Sequence, residues 1–322
     1  MEIHHAPCNK IKKNTFTFFN TVSLYEIRIS ETMMSEMKEK ICLITGANSG
    51  IGKETAIGLA EKNAQIVMAV RNLERGEKAR AEIKNKTGNK TVDLLLCDVS
   101  SMSDIRRFAE EFRVKYPKLD VLINNAGAVF NNRSLTREGF ERTLAVNYLG
   151  PFLLTHELLP TLKKGAASRI INISSGLHRN GEINLDDIQS GKKYNGMKAY
   201  SNAKLVLMMF TYELSRRLEG TGINANVVLP GFVATNLGNN SESFLSNIMF
   251  KIVRPMQTTA EKGAETSIYL ASSNDVKDIN GKCFEKKKEI HTSPQSYNRE
   301  IQAQLWKKTN DILGLNSEWL ST

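Results

Sequence analysis

From Lys40 onward, short apolar runs alternate along the chain with stretches whose apolar residues recur at helical spacing. The runs are Ile41–Thr45, Ile66–Val70, Val92–Cys97, Val121–Ile123, Arg169–Ser174 and Ala225–Leu229. Each is largely apolar throughout, as a strand buried on both faces must be. Leu73–Lys86 and Ile105–Lys115 lie between them and read as amphipathic helices. Strand and helix in alternation predict an α/β fold: one Rossmann-like, doubly wound parallel sheet with right-handed crossovers, flanked by helices. Sustained organisation begins at Lys40. A C-terminal helix is expected at 294–313, capped by Ser293, with Pro294 at its first position and an apolar stripe of Ile301, Leu305, Ile312 and Leu313. Within 232–258, Phe244, Ile248 and Ile252 recur every four residues after a Gly/Asn/Ser stretch. They predict an amphipathic helix, either a lid over a substrate or a helix simply docked on the domain. Residues 1–37 have no period and are expected to form a disordered extension. Residues 1–32 are either an upstream addition to a chain starting at Met33 or Met34, or an inessential arm.

Composition narrows the function classes. The chain has 322 residues, 41% of them hydrophobic, which suffices for a sizeable core. The net charge of +10 is spread along the sequence, and its densest cluster, Lys286–Lys288, reads as a solvated patch rather than a nucleic-acid site. Of the four cysteines, Cys42 and Cys97 sit in apolar runs, Cys8 and Cys283 stand apart, and no pair is spaced C-x-x-C. They read as buried thiols, and the five scattered histidines make no zinc-ligand spacing with them. No apolar run approaches the roughly 18 residues a membrane helix needs. The Phe16–Phe19 cluster is too short for a signal peptide, so a cytoplasmic location is expected.

The first run leads directly into Thr45-Gly46-Ala47-Asn48-Ser49-Gly50-Ile51-Gly52 and then a helical stretch. This order of strand, glycine-rich turn and helix suits a dinucleotide. Gly46 permits the tight turn, Gly50 lets backbone approach a pyrophosphate, and Gly52 lets helix and strand pack closely. The second run ends Val70-Arg71-Asn72 without a carboxylate. An acid there would accept from a ribose 2′-OH, whereas Arg71 offers a forked contact to a 2′-phosphate. NADP(H) is therefore expected in preference to NAD(H).

Further along, Tyr200 and Lys204 stand four apart on a helical run, hence on one face. An ammonium about 5 Å from a phenol, at an effective dielectric of about 20, would favour the phenolate by about 3 kcal/mol, or roughly two pKa units. Ser174 and Ser175 close the run before them.

The glycine spacing G-x-x-x-G-x-G resembles that of short-chain dehydrogenases/reductases, and other matches follow in order. Asn124-Asn125-Ala126-Gly127 resembles the N-N-A-G motif, and Asp98 the residue that touches adenine. Asn147 lies in a V-N-x-x-G context, Tyr200-Ser201-Asn202-Ala203-Lys204 matches Y-x-x-x-K, and Pro230-Gly231 with Thr235 resembles the P-G-x-x-x-T segment at the nicotinamide end. The run T-G-A-N-S-G-I-G, the sequence Arg169–Ser175 and the 24 residues between Ser175 and Tyr200 resemble the retinol dehydrogenase-like branch. The resemblance extends over residues 38–315, where the domain is expected, with a tail at 316–322.

The resemblance implies a nicotinamide site built from Gly46, Asn48, Ser49, Gly50, Ile51, Gly52, Arg71, Asp98, Asn124, Ala126, Gly127, Pro230, Gly231 and Thr235, together with Tyr200 and Lys204. It implies Tyr200 as the acid/base, Lys204 as its partner and ribose ligand, and Asn147 as holder of a water between Lys204 and solvent. Ser175 would stabilise the substrate oxygen, with Ser174 its competitor. The insert before Tyr200, holding His178, Asn184, Asp186, Asp187, Tyr194 and Met197, is expected to wall the pocket; His178 is either a substrate contact or a plain loop histidine. The implied reaction is hydride transfer to or from a lipophilic aldehyde, ketone or alcohol. Eukaryotic members of the branch often carry a membrane anchor, and no integral membrane segment is visible here. A homo-oligomer through helices around Asn147 and Tyr200 is a further implication. The competing readings are a sugar-nucleotide epimerase on the same fold and a cofactor-binding regulator without activity.

Overall fold

A computed structural model of the chain describes residues 37–165, 167–231 and 259–316, with Met1 and Leu320. Most of the N-terminal extension, Thr235 and the 244–252 periodicity lie outside the described residues. Among the described residues one eight-stranded sheet runs in the order β3-β2-β1-β4-β5-β6-β7-β8. Its strands are β1 (Ile41–Thr45), β2 (Gln65–Val70), β3 (Val92–Leu96), β4 (Val121–Asn124), β5 (Arg169–Ile173), β6 (Asn224–Leu229), β7 (Cys283–Glu285) and β8 (Lys288–Glu289). All neighbours pair in parallel except β7 with β8. The helices are α1 (Gly50–Glu61), α2 (Leu73–Thr87), α3 (Met102–Lys115), α4 (Gly150–Leu162), α5 (Gly196–Arg217), α6 (Ala260–Ser272) and α7 (Arg299–Leu313).

The alternation of side chains along β1 divides the core. Ile41 and Leu43 join one apolar cluster with Phe108, Phe152, Phe210 and Trp306, from α3, α4, α5 and α7. Cys42 and Ile44 join the other with Leu59, Ile83 and Leu270, from α1, α2 and α6. The sheet is thus covered on both faces, as expected of strands apolar throughout. The order reverses between β1 and β4, which opens a crevice at the carboxyl ends of the strands, the place where doubly wound sheets bind ligands. No described helix is long and apolar enough to cross a membrane.

One sequence expectation is corrected. The C-terminal helix begins later than Pro294: Pro294–Tyr297 is a short 3-10 turn, and α7 starts at Arg299, where the Asn298 side chain accepts from the Ile301 N–H at 3.1 Å. Asn caps this helix because its short amide can satisfy a free N–H, and the Ser293 side chain makes no such bond. The Lys286–Lys288 patch is exposed, as expected of a solvated patch, and forms the turn and start of a hairpin between β7 and β8. Lys286 and Lys287 take φ of 51° and 62°, and the Lys287 N–H donates to Thr266 Oγ1. Cys42, Cys97 and Cys283 are buried free thiols.

Candidate active site

The glycine turn is held from the neighbouring strand. Gly46 and Gly50 have φ of 68° and 56°, values that disfavour a side chain. Thr45 Oγ1 accepts from the N–H groups of Asn125 (2.9 Å) and Ala126 (3.0 Å), while Asn125 Nδ2 donates to the Thr45 carbonyl at 2.8 Å. A Cβ on Gly52 would stand 2.3 Å from Asn125 Nδ2 and 2.6 Å from the Gly46 carbonyl, so α1 can approach only with glycine there. Thr45 and Asn125 were missing from the sequence-predicted site, although both lie inside its motifs. Asn124 points the other way: it is buried and donates to Asn172 Oδ1 at 2.8 Å, which leaves only its backbone for a ligand.

α1 begins without a side-chain cap. Ser49 is extended, makes no capping hydrogen bond, and no acidic residue occupies the first turn. Ile51 is buried beneath, while Ser49 is exposed and Asn48 half-buried. The first-turn N–H groups and the positive end of the helix therefore face the crevice available to an anion. Arg71 is exposed at the carboxyl end of β2 and makes no ion pair among the described residues. Asp98, after β3, accepts from the Ser100 N–H (2.9 Å) and hydroxyl (2.7 Å). It borders an open polar cavity of about 410 Å³ with Arg107 and Arg137.

At the carboxyl end of β5 the two serines separate. Ser174 is buried and donates to the Lys204 carbonyl at 3.0 Å. Ser175 is half-buried, caps the turn Gly176–Asn180 by accepting from the Leu177 N–H at 3.3 Å, and hydrogen-bonds the Tyr200 hydroxyl. Tyr200 and Lys204 are buried on α5, a helix capped by Asn195, with Lys204 Nζ 5.6 Å from the centre of the Tyr200 ring. Lys204 Nζ donates to the Ile173 carbonyl at 2.8 Å.

Burial pushes Tyr200 up to about 12, and only the bond from Ser175 draws it down. Burial also lowers Lys204 to about 7. The two-unit depression of Tyr200 expected from its spacing to Lys204 is therefore absent from the protein alone. Desolvation sets the direction of both shifts, because it penalises the charged form of each group.

Asn147 lies in a π-helical turn, Ala145–Leu149, of the kind that recurs at functional sites. Its Nδ2 donates to the carbonyls of Ala128 (2.7 Å) and Thr143 (2.8 Å), and its Oδ1 accepts from the Ala128 N–H (3.3 Å). Both amide protons are thus engaged, one holding the loop after β4 and the other the preceding turn of its own helical segment. A Cβ on Gly127 would stand 2.9 Å from Asn147 Oδ1 and 3.4 Å from Lys204 Nζ, so these groups converge on the space glycine leaves. Pro230 and Gly231 follow β6, with Gly231 exposed at φ 76°.

The insert before Tyr200 is bonded both within itself and to the segment 130–143. Asn184 accepts from the Asp186 N–H, Asp187 from the N–H groups of Gly191 and Lys192, and Tyr194 donates to the Phe130 carbonyl. Met197, 49% exposed, stands one turn before Tyr200 on the same helix face. His178 is fully buried and reaches no open surface. No group of three or more His, Cys, Asp or Glu suited to a metal occurs among the described residues.

A Rossmann-like sheet whose crevice gathers a glycine turn, a serine and a Tyr/Lys pair defines a class, and comparison with known proteins agrees: residues 40–245 match the short chain dehydrogenase family model, and the chain belongs to that family. Within it the chain falls in the retinol dehydrogenase-like branch. It is 41% identical to bovine (Bos taurus) retinol dehydrogenase 12 over 87% of this chain and 88% of the relative. It is 38% identical to human (Homo sapiens) retinol dehydrogenase 13 over 86% of each. Among solved structures, a Mycobacterium paratuberculosis protein aligns with a TM-score of 0.71 at 31% identity, covering 87% of this chain and 95% of that one. The Pseudomonas aeruginosa RhlG/NADP active-site complex aligns at 0.63 and 25% identity, covering 78% and 96%.

Proposed function

We propose that this oxidoreductase transfers hydride between NADP(H) and a lipophilic aldehyde, ketone or alcohol, of the kind a retinoid represents. The observation that carries the proposal is the convergence of Ser175, Tyr200 and Lys204 at one end of the sheet. The uncapped start of α1 would receive the pyrophosphate, and Arg71 the 2′-phosphate. Asp98 would meet the adenine, and Gly127, Pro230 and Gly231 would line the path to the nicotinamide. The cofactor supplies or accepts the hydride when bound.

Tyr200 holds its proton at neutral pH, because its hydroxyl is raised to about 12, so it is set up to donate to a carbonyl oxygen as reduction proceeds. Ser175, beside it, donates a second hydrogen bond to the same oxygen. Lys204 near 7 exchanges protons readily and restores Tyr200 after each turnover. The Asn147 side chain holds the loop beneath, so a water linking Lys204 to solvent would rest on the backbone of the widened turn. Exposed Met197, one turn above Tyr200, supports an apolar substrate, as does the likeness to retinol dehydrogenases 12 and 13.

RhlG, bound to NADP in its complex, supports the cofactor choice together with Arg71. The test is an NADPH-oxidation screen over retinaldehyde, long-chain aldehydes, ketones and quinones, run beside NADH. Turnover of an apolar carbonyl with NADPH preferred is the expected result. Turnover confined to NADH, or to polar carbonyls, overturns it.

A further inference from the structure

We infer that His178 is a positioning residue for Ser175, and that the C-terminal segment 291–297 is a strap holding it in place. The inference rests on Ser175 as the oxygen-stabilising donor.

His178 is fully buried, and both ring nitrogens are spoken for. Nδ1 lies 2.7 Å from the Ser175 carbonyl, and the Ser293 N–H donates to Nε2 at 3.3 Å. A carbonyl can only accept and a backbone N–H only donate, so a single form satisfies both: the neutral ring with its proton on Nδ1. Burial lowers the histidine's pKa, in agreement with a neutral ring. The His178 N–H also donates to the Ser175 carbonyl, at 3.0 Å, so that oxygen receives two bonds from one residue. Together they close the turn that Ser175 caps. The orientation of the Ser175 hydroxyl is therefore tied to the imidazole.

The strap is itself fastened to α5, which carries Tyr200 and Lys204. Tyr212 hydrogen-bonds Thr292 at 3.0 Å and stacks on Tyr297 with ring centres 5.3 Å apart. Gln295 Nε2 donates to the Gly181 carbonyl at 2.7 Å, and Arg179 to the His291 carbonyl at 3.0 Å. The serine is thus held relative to the tyrosine by a path running Ser175–His178–Ser293–Thr292–Tyr212, independent of β5.

The two bonds can be separated by substitution. In His178→Asn the amide Nδ2 falls where Nδ1 stood and can still donate to the Ser175 carbonyl. In His178→Gln the amide oxygen falls near Nε2 and preserves only the acceptor for Ser293. The full-length protein is assayed for NADPH binding by titration, for melting temperature, and for single-turnover hydride transfer to an aldehyde the parent reduces. Ser175→Ala is run alongside. The expected result is that His178→Ala and His178→Gln lose about tenfold in transfer rate, the worth of one hydrogen bond, while His178→Asn stays within about threefold of the parent. NADPH affinity stays unchanged in all three. Transfer rates that follow melting temperature across the set, or His178→Gln outperforming His178→Asn, overturn the inference while leaving Ser175 in its role. Parental transfer by Ser175→Ala overturns the reading of the serine and the positioning role with it.

Discussion

Two buried ionisable groups lie at opposite ends of the sheet, and they are treated differently. At the amino-terminal end, Asp120 is 2% exposed. Its carboxylate pairs with Lys40 at 3.0 Å and Lys118 at 3.1 Å, and accepts from the Ile41 N–H at 3.0 Å. At the carboxyl end, Lys204 is 3% exposed, and the neutral Ile173 carbonyl is the partner of its ammonium. The first charge is compensated, and it joins the loop before β4 to β1. The second pays for its burial with a pKa near 7. Such a group suits a place where its proton mobility is used, in keeping with the chemistry proposed at the carboxyl end, the working end in that reading. The same difference separates two helix starts. α2 is capped by Asn72, which accepts from the Arg75 N–H at 2.9 Å, and has Glu74 in its first turn; α1 has neither cap nor acid.

The largest expected effect strikes the working end. Tyr200→Phe removes one hydroxyl and should lower single-turnover hydride transfer by about 10²–10⁴-fold, with NADPH binding kept. Near-parental transfer on a substrate the parent reduces would remove Tyr200 from the acid role. Arg71→Ala should weaken NADPH binding by roughly ten- to hundredfold and leave NADH binding nearly unchanged, since a charge-assisted contact is worth about 1.5–3 kcal/mol. Equal losses for both cofactors in parallel titrations would show that Arg71 does not read the 2′-phosphate.

Stability should separate the two buried charges in the opposite sense. Asp120→Ala strands the Ile41 N–H and should cost about 1–3 kcal/mol in denaturant unfolding, with transfer per folded molecule unchanged. Lys204→Met replaces a desolvated amine with an apolar chain of similar length. It should leave stability equal or higher while transfer and NADPH binding both fall. A marked loss of stability in Lys204→Met would mean that Lys204 is structural, like Asp120, and the contrast would collapse.

How much of this was legible in the sequence follows the same division. The first six strands were readable because each is largely apolar and a parallel sheet demands that. β7 and β8 were not, being three and two residues long and joined by lysines where such a turn normally takes Gly or Asn. The start of α7 was misplaced because Ser293-Pro294 imitates a cap that Asn298 supplies. In the site, spacing brought Tyr200, Lys204 and the serines together correctly, yet it could not weigh desolvation, so the direction of the Tyr200 shift was reversed. The sequence singled out His178 but carried no signal of its burial or its partner, Ser293, 115 residues away.

The smallest effect is also the most direct probe of Lys204. Its folded pKa of about 7 lies below the 10.5 of an exposed lysine. Between those values the unfolded chain binds the proton and the folded one does not, so stability gains with rising pH. Below about 7 both states are protonated, and the full cost of burying the charge is present. Lys204→Met carries no such cost at any pH. Its advantage over the parent should therefore be greatest near pH 6 and shrink steadily towards pH 9, a range that stays below the titration of Tyr200 in either state. Denaturation midpoints for the two proteins, measured side by side across that range, read the difference directly, and titrations common to both cancel. A gap that holds constant with pH would show that Lys204 keeps an ordinary lysine pKa despite its burial. Its ammonium would then persist at neutral pH, and the Coulomb attraction expected from the four-residue spacing would act on Tyr200 after all.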